Sequence, residues 1–179
     1  MKIGYELLGS QPKDKLGKKT LVLDLDNTLV HTVEGMTAPK NYDFMVQLPS
    51  HSTRRSKLVY VQVRPGFSNF YLTMSQYYEV VLYTASLTDL SDIIMDAIDP
   101  TKLCRKRLYR RHCSRFNHLF FMDLARLGRQ MEDVILIDNS QTSYLGQESN
   151  AVPISFWQGN HKDDELEKLT SFLIGMSKV

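Results

Sequence analysis

Three short apolar runs in this sequence each close on residues that can do chemistry. TLVLDLD at residues 20–26 closes on Asp24 and Asp26, YEVVLYTAS at 78–86 on Thr84 and Ser86, and DVILIDNS at 133–140 on Asp138 and Asn139. Ligands of open α/β sheets gather beyond the carboxyl ends of the strands, so three such endings point to one site. A lone Asp or Asn at a strand end commonly just caps a turn; the coincidence of three carries the reading. Asp24 and Asp26, with Asp138 near them, would repel one another and titrate above ordinary carboxylates. A divalent cation removes that conflict, and a small set of hard oxygen donors beside phosphate favours Mg²⁺. The ion would also neutralise phosphate charge, letting a carboxylate approach an anionic ester. One carboxylate can then act as nucleophile, forming an aspartyl-phosphate, while another protonates the leaving oxygen and later deprotonates the attacking water. Thr84 is expected to donate a hydrogen bond to a phosphoryl oxygen.

Such a site needs a sheet to hold the three strand ends together. Between the runs the apolar spacing is helical, with Phe67, Phe70, Tyr71 and Met74 in one segment and Leu90, Ile93, Ile94 and Ala97 in another. A last helix is expected over 163–176, with Leu166, Leu169, Phe172 and Leu173 facing inward. The alternation of strand and helix predicts a three-layer α/β/α sandwich with a central parallel sheet. Residues 1–18 are expected to form an irregular leader, and 19–179 one catalytic domain. Residues 41–63 break the alternation. Phe44, Val46 and Leu48 alternate with polar neighbours, SHSTRRSK turns the chain, and LVYVQV returns it, which predicts a β-hairpin or small sheet inserted after the first strand. Arg64-Pro65-Gly66 punctuates the return to the main fold.

A chain of 179 residues suits one domain, and 42% hydrophobic with 23% charged residues is ordinary for a globular protein. The formal net charge of +2 supplies no whole-molecule attraction to nucleic acid or membrane, and direct nucleic-acid binding is not expected. Cys104 and Cys113 form no CxxC pair and read as reduced intracellular thiols. No stretch has the length and apolarity of a membrane span, and the N-terminus lacks a signal-peptide core. An intracellular setting is expected, nucleus or cytoplasm, with the mitochondrion as the alternative.

The motif DLDNTLVH at 24–31 resembles the DxDx[TV] signature of haloacid-dehalogenase-type phosphatases. More narrowly, it is similar to the DLDETLVH of small phosphatases acting on the C-terminal domain of RNA polymerase II. The resemblance runs on in order through RPG (64–66), VVLYTAS (80–86), RLYRRHC (107–113), DLARLGR (123–129), VILIDNS (134–140) and NAVPI (150–154). It implies Asp24 as nucleophile and Asp26 as general acid/base. It implies Mg²⁺ held by the Asp24 carboxylate, the Asp26 carbonyl and Asn139, with Asp138 in support. Thr84 matches the family's phosphate-binding hydroxyl. The implied substrate is a phosphoserine or phosphothreonine in a phosphoprotein or phosphopeptide. The 41–63 insertion matches one that shapes an apolar pocket, for which Phe44, Val46, Val59 and Val61 are candidates; the same four residues suit a simple hairpin core.

Two departures stand out. Asn27 replaces a common Glu at a non-catalytic position. Met122 stands where the family carries a Lys that neutralises charge between nucleophile and phosphoryl group, and losing such a contact costs ~10²–10³ in rate. A basic cluster lies near in sequence: Arg105, Lys106, Arg107, Arg110, Arg111 and Arg115, with His112 and His118 interleaved. It reads either as a solvated charged edge or as a substitute, with Arg115 or a neighbour binding phosphate or an acidic partner. His31 reads as a structural hydrogen-bonder. The alternative function is a catalytically weak binding module of the same fold, such as an import receptor subunit, suggested by Met122 and by SQYYE at 75–79.

Overall fold

The computed structural model describes residues 6–49 and 56–179. The turn expected in SHSTRRSK falls mainly outside the described residues. In chain order the elements are β1 (Thr20–Leu23), β2 (Val30–Glu34), β3 (Phe44–Leu48), β4 (Lys57–Val63), α1 (Phe67–Tyr77), β5 (Glu79–Tyr83), α2 (Thr88–Ile98) and β6 (Lys106–Leu108). The remainder comprises β7 (Ser114–Phe116), β8 (Leu119–Phe121), β9 (Val134–Asp138), β10 (Ala151–Pro153) and α3 (Glu165–Met176), joined by short 3₁₀ turns.

The apolar runs become the centre of a five-stranded parallel sheet of order β10-β9-β1-β5-β6. Every residue of β1, β5 and β9 is buried, as strands covered on both faces must be. The chain leaves β1 for β5 on one side and returns through β9 on the other. The carboxyl end of β1 is therefore a topological switch point, where open sheets bind ligands. Alternation along β1 divides the core. Leu21 and Leu23 face a cluster with Phe70 and Met74 of α1, Ile94 of α2 and Leu166 and Leu173 of α3. Val22 faces a second cluster with Leu8, Tyr83, Leu108, Met122, Leu127 and Tyr144. All three α-helices thus pack on the first face, and the second is covered by 3₁₀ turns, the 6–18 segment and a small hairpin.

Several side chains depart from the helical stripes expected above. Phe172 and Ile93 are exposed, because each sits at the border of its helix's apolar arc, while Leu166, Leu173 and Ile94 occupy the centre. The insertion is a three-stranded antiparallel sheet of order β2-β4-β3 that begins at Val30, earlier than the residues 41–63 had suggested. Val46, Val59 and Val61 are buried within it as core.

Two buried arginine pairs brace the sheet from opposite ends. Arg129 grips the Glu79 carboxylate with Nε and Nη2, both at 2.7 Å, at the amino end of β5. Burial works against the Glu79 charge, yet hydrogen bonds from Arg129, Thr20 and Gln11 outweigh it and hold the carboxyl below its ordinary value. A depressed carboxyl stabilises the fold above its unfolded pKa and loses that contribution as pH falls through its folded pKa. Glu79→Gln should therefore cost ~3 kcal/mol at neutral pH by leaving Arg129 unpaired. Urea titrations should show its gap to wild type shrinking below about pH 4.3; a gap constant down to pH 3 would remove the pair from this role.

Candidate active site

The backbone turns sharply after Leu23, and that turn aims two carboxylates. Asp24 N–H still donates to Ile137 O at 3.1 Å, but the chain then folds back, with the N–H groups of Thr28, Leu29 and Val30 all directed to Leu25 O. Asp24 and Asp26 therefore project from a turn and not from an extended strand. Asn27 makes the turn feasible. Its φ of 58° lies in the left-handed region, which Asn tolerates better than most residues. Its side chain meets His31 Nδ1 at 2.7 Å and Trp157 O at 3.0 Å, so Asn27 and His31 both serve the loop's architecture. Arg64 supports the same loop from beneath. The fully buried guanidinium donates to Thr28 O and Ser155 O, each at 3.1 Å, and forks onto Asp163 at 2.7 and 2.8 Å.

Asp24 is buried, and Thr28 Oγ1 donates to its Oδ2 at 2.9 Å. Burial first, then the charges of Asp138 and Asp26, push its carboxyl well above the ordinary range. Asp138, at the matching end of β9, is pushed up to about 6 by burial. Ser140 N–H donates to its Oδ1 at 2.7 Å, whereas its buried Oδ2 has no partner. Asn139 reaches across from β9, its amide 2.8 Å from both the Asp26 carbonyl and Thr28 Oγ1. Asp26 is held from the β5 side: Ser86 Oγ makes a short hydrogen bond to its Oδ2, and Thr84 Oγ1 donates to the same oxygen at 3.3 Å. The ends of β1, β5 and β9 thus bring Asp24, Asp26, Thr84, Asp138 and Asn139 together. Ser86 joins them as a direct partner of Asp26, legible in advance only as the last polar residue of its run.

These oxygens suit a small hard cation. An orphaned carboxylate oxygen, a neighbouring carboxyl raised by burial and by repulsion, a main-chain carbonyl and a side-chain amide meet in one place. Among the described residues no three His, Cys, Asp or Glu form a metal cluster.

Two other candidate residues lie apart. Phe44 is half-buried and lines a cavity of about 550 Å³ with Phe67, Tyr71 and Leu103. The cavity that contains Asp26 is a different one, about 560 Å³, with Leu48, Leu90, Ile94, Ser86 and Arg110 among its walls. Arg115 is exposed on the β7–β8 hairpin, its guanidinium 5.2 Å from the Phe120 ring centre. Arg110 is the member of the basic cluster that reaches the Asp26 cavity. Arg105 and Arg107 are tied to Asp14 and to Asp92 and Asp96. Met122 is fully buried in the second core cluster, with Val22 of β1 and Leu136 of β9. Its N–H donates to Ser143 O at 2.7 Å, in the turn that follows Asp138.

The family profile described as NLI interacting factor-like phosphatase matches residues 19–179. An uncharacterized Schizosaccharomyces pombe protein is 40% identical over 176 residues, 98% of this chain and 53% of that protein. The human CTD small phosphatase-like protein is 40% identical over 162 residues, 90% of this chain and 57% of its own length. The chain thus spans about half the length of the curated relatives it matches. Among solved structures, a fission yeast RNA polymerase II CTD phosphatase, Fcp1, bound to beryllium fluoride superposes with a TM-score of 0.66. It has 18% identity, over 90% of this chain and 51% of that one, a likeness of fold. Among the described residues no helix is long and apolar enough to cross a membrane.

Proposed function

This chain belongs to the NLI interacting factor-like phosphatase family, and on that premise we propose that it hydrolyses phosphomonoesters through an aspartyl-phosphate on Asp24. The observation that carries the reading is the meeting of Asp24, Asp26 and Asp138 at the switch point of the sheet, with Asp138 Oδ2 buried and unpartnered. The Asp24 Oδ2 is steadied by Thr28, so the carboxylate is oriented before substrate arrives. Asp26 is oriented by Ser86 and Thr84 and would give its proton to the leaving oxygen, then take one from the attacking water. Thr84, now donating to Asp26, would turn its hydroxyl to a phosphoryl oxygen. The Asp24 carboxylate, the Asp26 carbonyl and Asn139, supported by Asp138, would hold Mg²⁺, with the Asn139 amide turned to present its oxygen. When bound, the ion would relieve carboxylate repulsion and offset phosphate charge.

The substrate class we propose is phosphoserine or phosphothreonine in a protein. Asp26 opens onto a cavity floored by Leu48, Leu90 and Ile94, which gives an extended chain apolar surface beyond the reacting phosphate. A second reading, a weak binding module of the same fold, is favoured by the buried Met122 in place of a cation. Hydrolysis of a small aryl phosphate, with Mg²⁺ and with excess chelator, separates the two. Turnover should require Mg²⁺, and Asp26→Asn should slow it by ~10²–10⁴. Undiminished turnover in chelator would sink the phosphatase account as stated, and phosphopeptide retention without any hydrolysis would select the binding module.

A further inference from the structure

Arg110 lines the Asp26 cavity, and two further arginines, Arg111 and Arg115, lie next to it outside that lining. Arg110, Arg111 and Arg115 are exposed, and none forms an ion pair with the described residues, whereas Arg64, Arg105, Arg107 and Arg129 all do. Residues 1–5 and 50–55 add no Asp or Glu that could serve them.

Each of the three is held in place. Arg115 lies opposite Phe120 in the β7–β8 ladder, and its guanidinium and that of Arg110 sit 5.2 and 5.3 Å from the centre of that same ring. Arg110 Nε donates to Ala85 O, and its main-chain N–H donates to Ser86 O at 3.0 Å. Arg111 lies over the Tyr109 ring at 5.3 Å and donates to Thr88 Oγ1 at 3.0 Å. Two guanidiniums sharing one ring repel each other, and neither pairs with a carboxylate among the described residues. Contact with a ring face leaves the N–H edges of a guanidinium free to fork onto an anion. Contacts run inward without a break, from Arg115 through Phe120, Arg110 and Ser86 to the Asp26 carboxylate.

We propose that Arg110, Arg111 and Arg115 form a second anion subsite. It would read a further negatively charged side chain, phosphorylated Ser/Thr or Asp/Glu, on the same peptide whose phosphate reacts at Asp24. This inference rests on the phosphatase reading above and extends it to the substrate's charge pattern. Continuity with the Asp26 cavity favours a peptide.

Three peptides of one sequence test it: one phosphorylated once, one with a second phosphoserine a few residues away, and one with Glu at that second position. Wild-type kcat/KM should favour the doubly phosphorylated peptide about tenfold, through KM, with the Glu peptide between. Arg115→Gln, alone and with Arg111→Gln, should bring the ratio toward one. Binding of the same peptides to the Asp24→Asn protein, followed by fluorescence anisotropy, separates the two claims. Preference for the second charge in binding without any wild-type hydrolysis would keep the subsite and sink the phosphatase. Equal rates and equal binding for all three peptides would overturn the subsite. So would retention on phosphatidylserine vesicles that Arg115→Gln abolishes while no peptide preference exists.

Discussion

Asp24→Asn is expected to abolish turnover, by ~10⁴–10⁶ in kcat as for other lost nucleophiles, while leaving the fold intact and more stable in chelator than wild type. The amide is a poor nucleophile, which accounts for the rate. Stability follows from the surroundings: the carboxyl is buried and faces the charges of Asp138 and Asp26, and an amide of the same shape escapes that repulsion. Thr28 can still donate to the oxygen that remains. Mg²⁺ should reverse the order of Tm values, because wild type gains binding energy that the variant, short of one ligand, largely forgoes. Rate and stability moving in opposite directions mark a functional carboxylate. A drop in both would mark Asp24 as structural, and unchanged turnover would exclude it as nucleophile.

Met122→Lys is expected to raise kcat by ~10²–10³, the usual worth of one well-placed electrostatic stabiliser. Met122 is wholly buried in the core cluster that holds Val22 and Leu136, each two residues before a site carboxylate, and the family resemblance puts an ammonium at this position. A buried Lys is costly without a carboxylate partner. Met122→Leu is the control for packing and should change neither rate nor Mg²⁺ dependence. If Lys gives a folded protein without a gain, the charge is already supplied, and Arg110 at the Asp26 cavity is the group in position to do so. Arg110→Ala should then cost ~3 kcal/mol of barrier. No gain from the first and no loss from the second would favour the binding-module reading.

What could be read from the sequence follows from how local the causes are. β1, β5 and β9 were legible because buried parallel strands are continuous apolar runs, and the carboxylates at their ends were legible with them. β2 was missed because VHTVE has only Val30 buried and continues the preceding motif without a break. The β7–β8 hairpin was hidden inside a basic stretch. Its signal was the Asn117-His118 pair, both with positive φ, between apolar residues. The Glu79–Arg129 and Arg64–Asp163 pairs join residues 50 and 99 positions apart, and nothing local announces them. Within the site, the strand-end residues could be placed from their runs. The role of Ser86, the separate cavity of Phe44 and the outward position of Arg115 depended on how turns and hairpins pack, which no spacing rule reaches.

The central claim is that phosphate passes covalently through Asp24, and chemical trapping addresses it directly. The wild-type protein is mixed with an aryl phosphate and Mg²⁺, quenched within a turnover, and treated with borohydride, which reduces an acyl phosphate to the alcohol. Mass spectrometry of the peptide spanning residues 20–33 then reads where reduction occurred. The account predicts reduction at the side chain of residue 24, none at Asp26, and none in the Asp24→Asn protein. Steady turnover with no reduction at residue 24, or reduction at Asp26 instead, would contradict it.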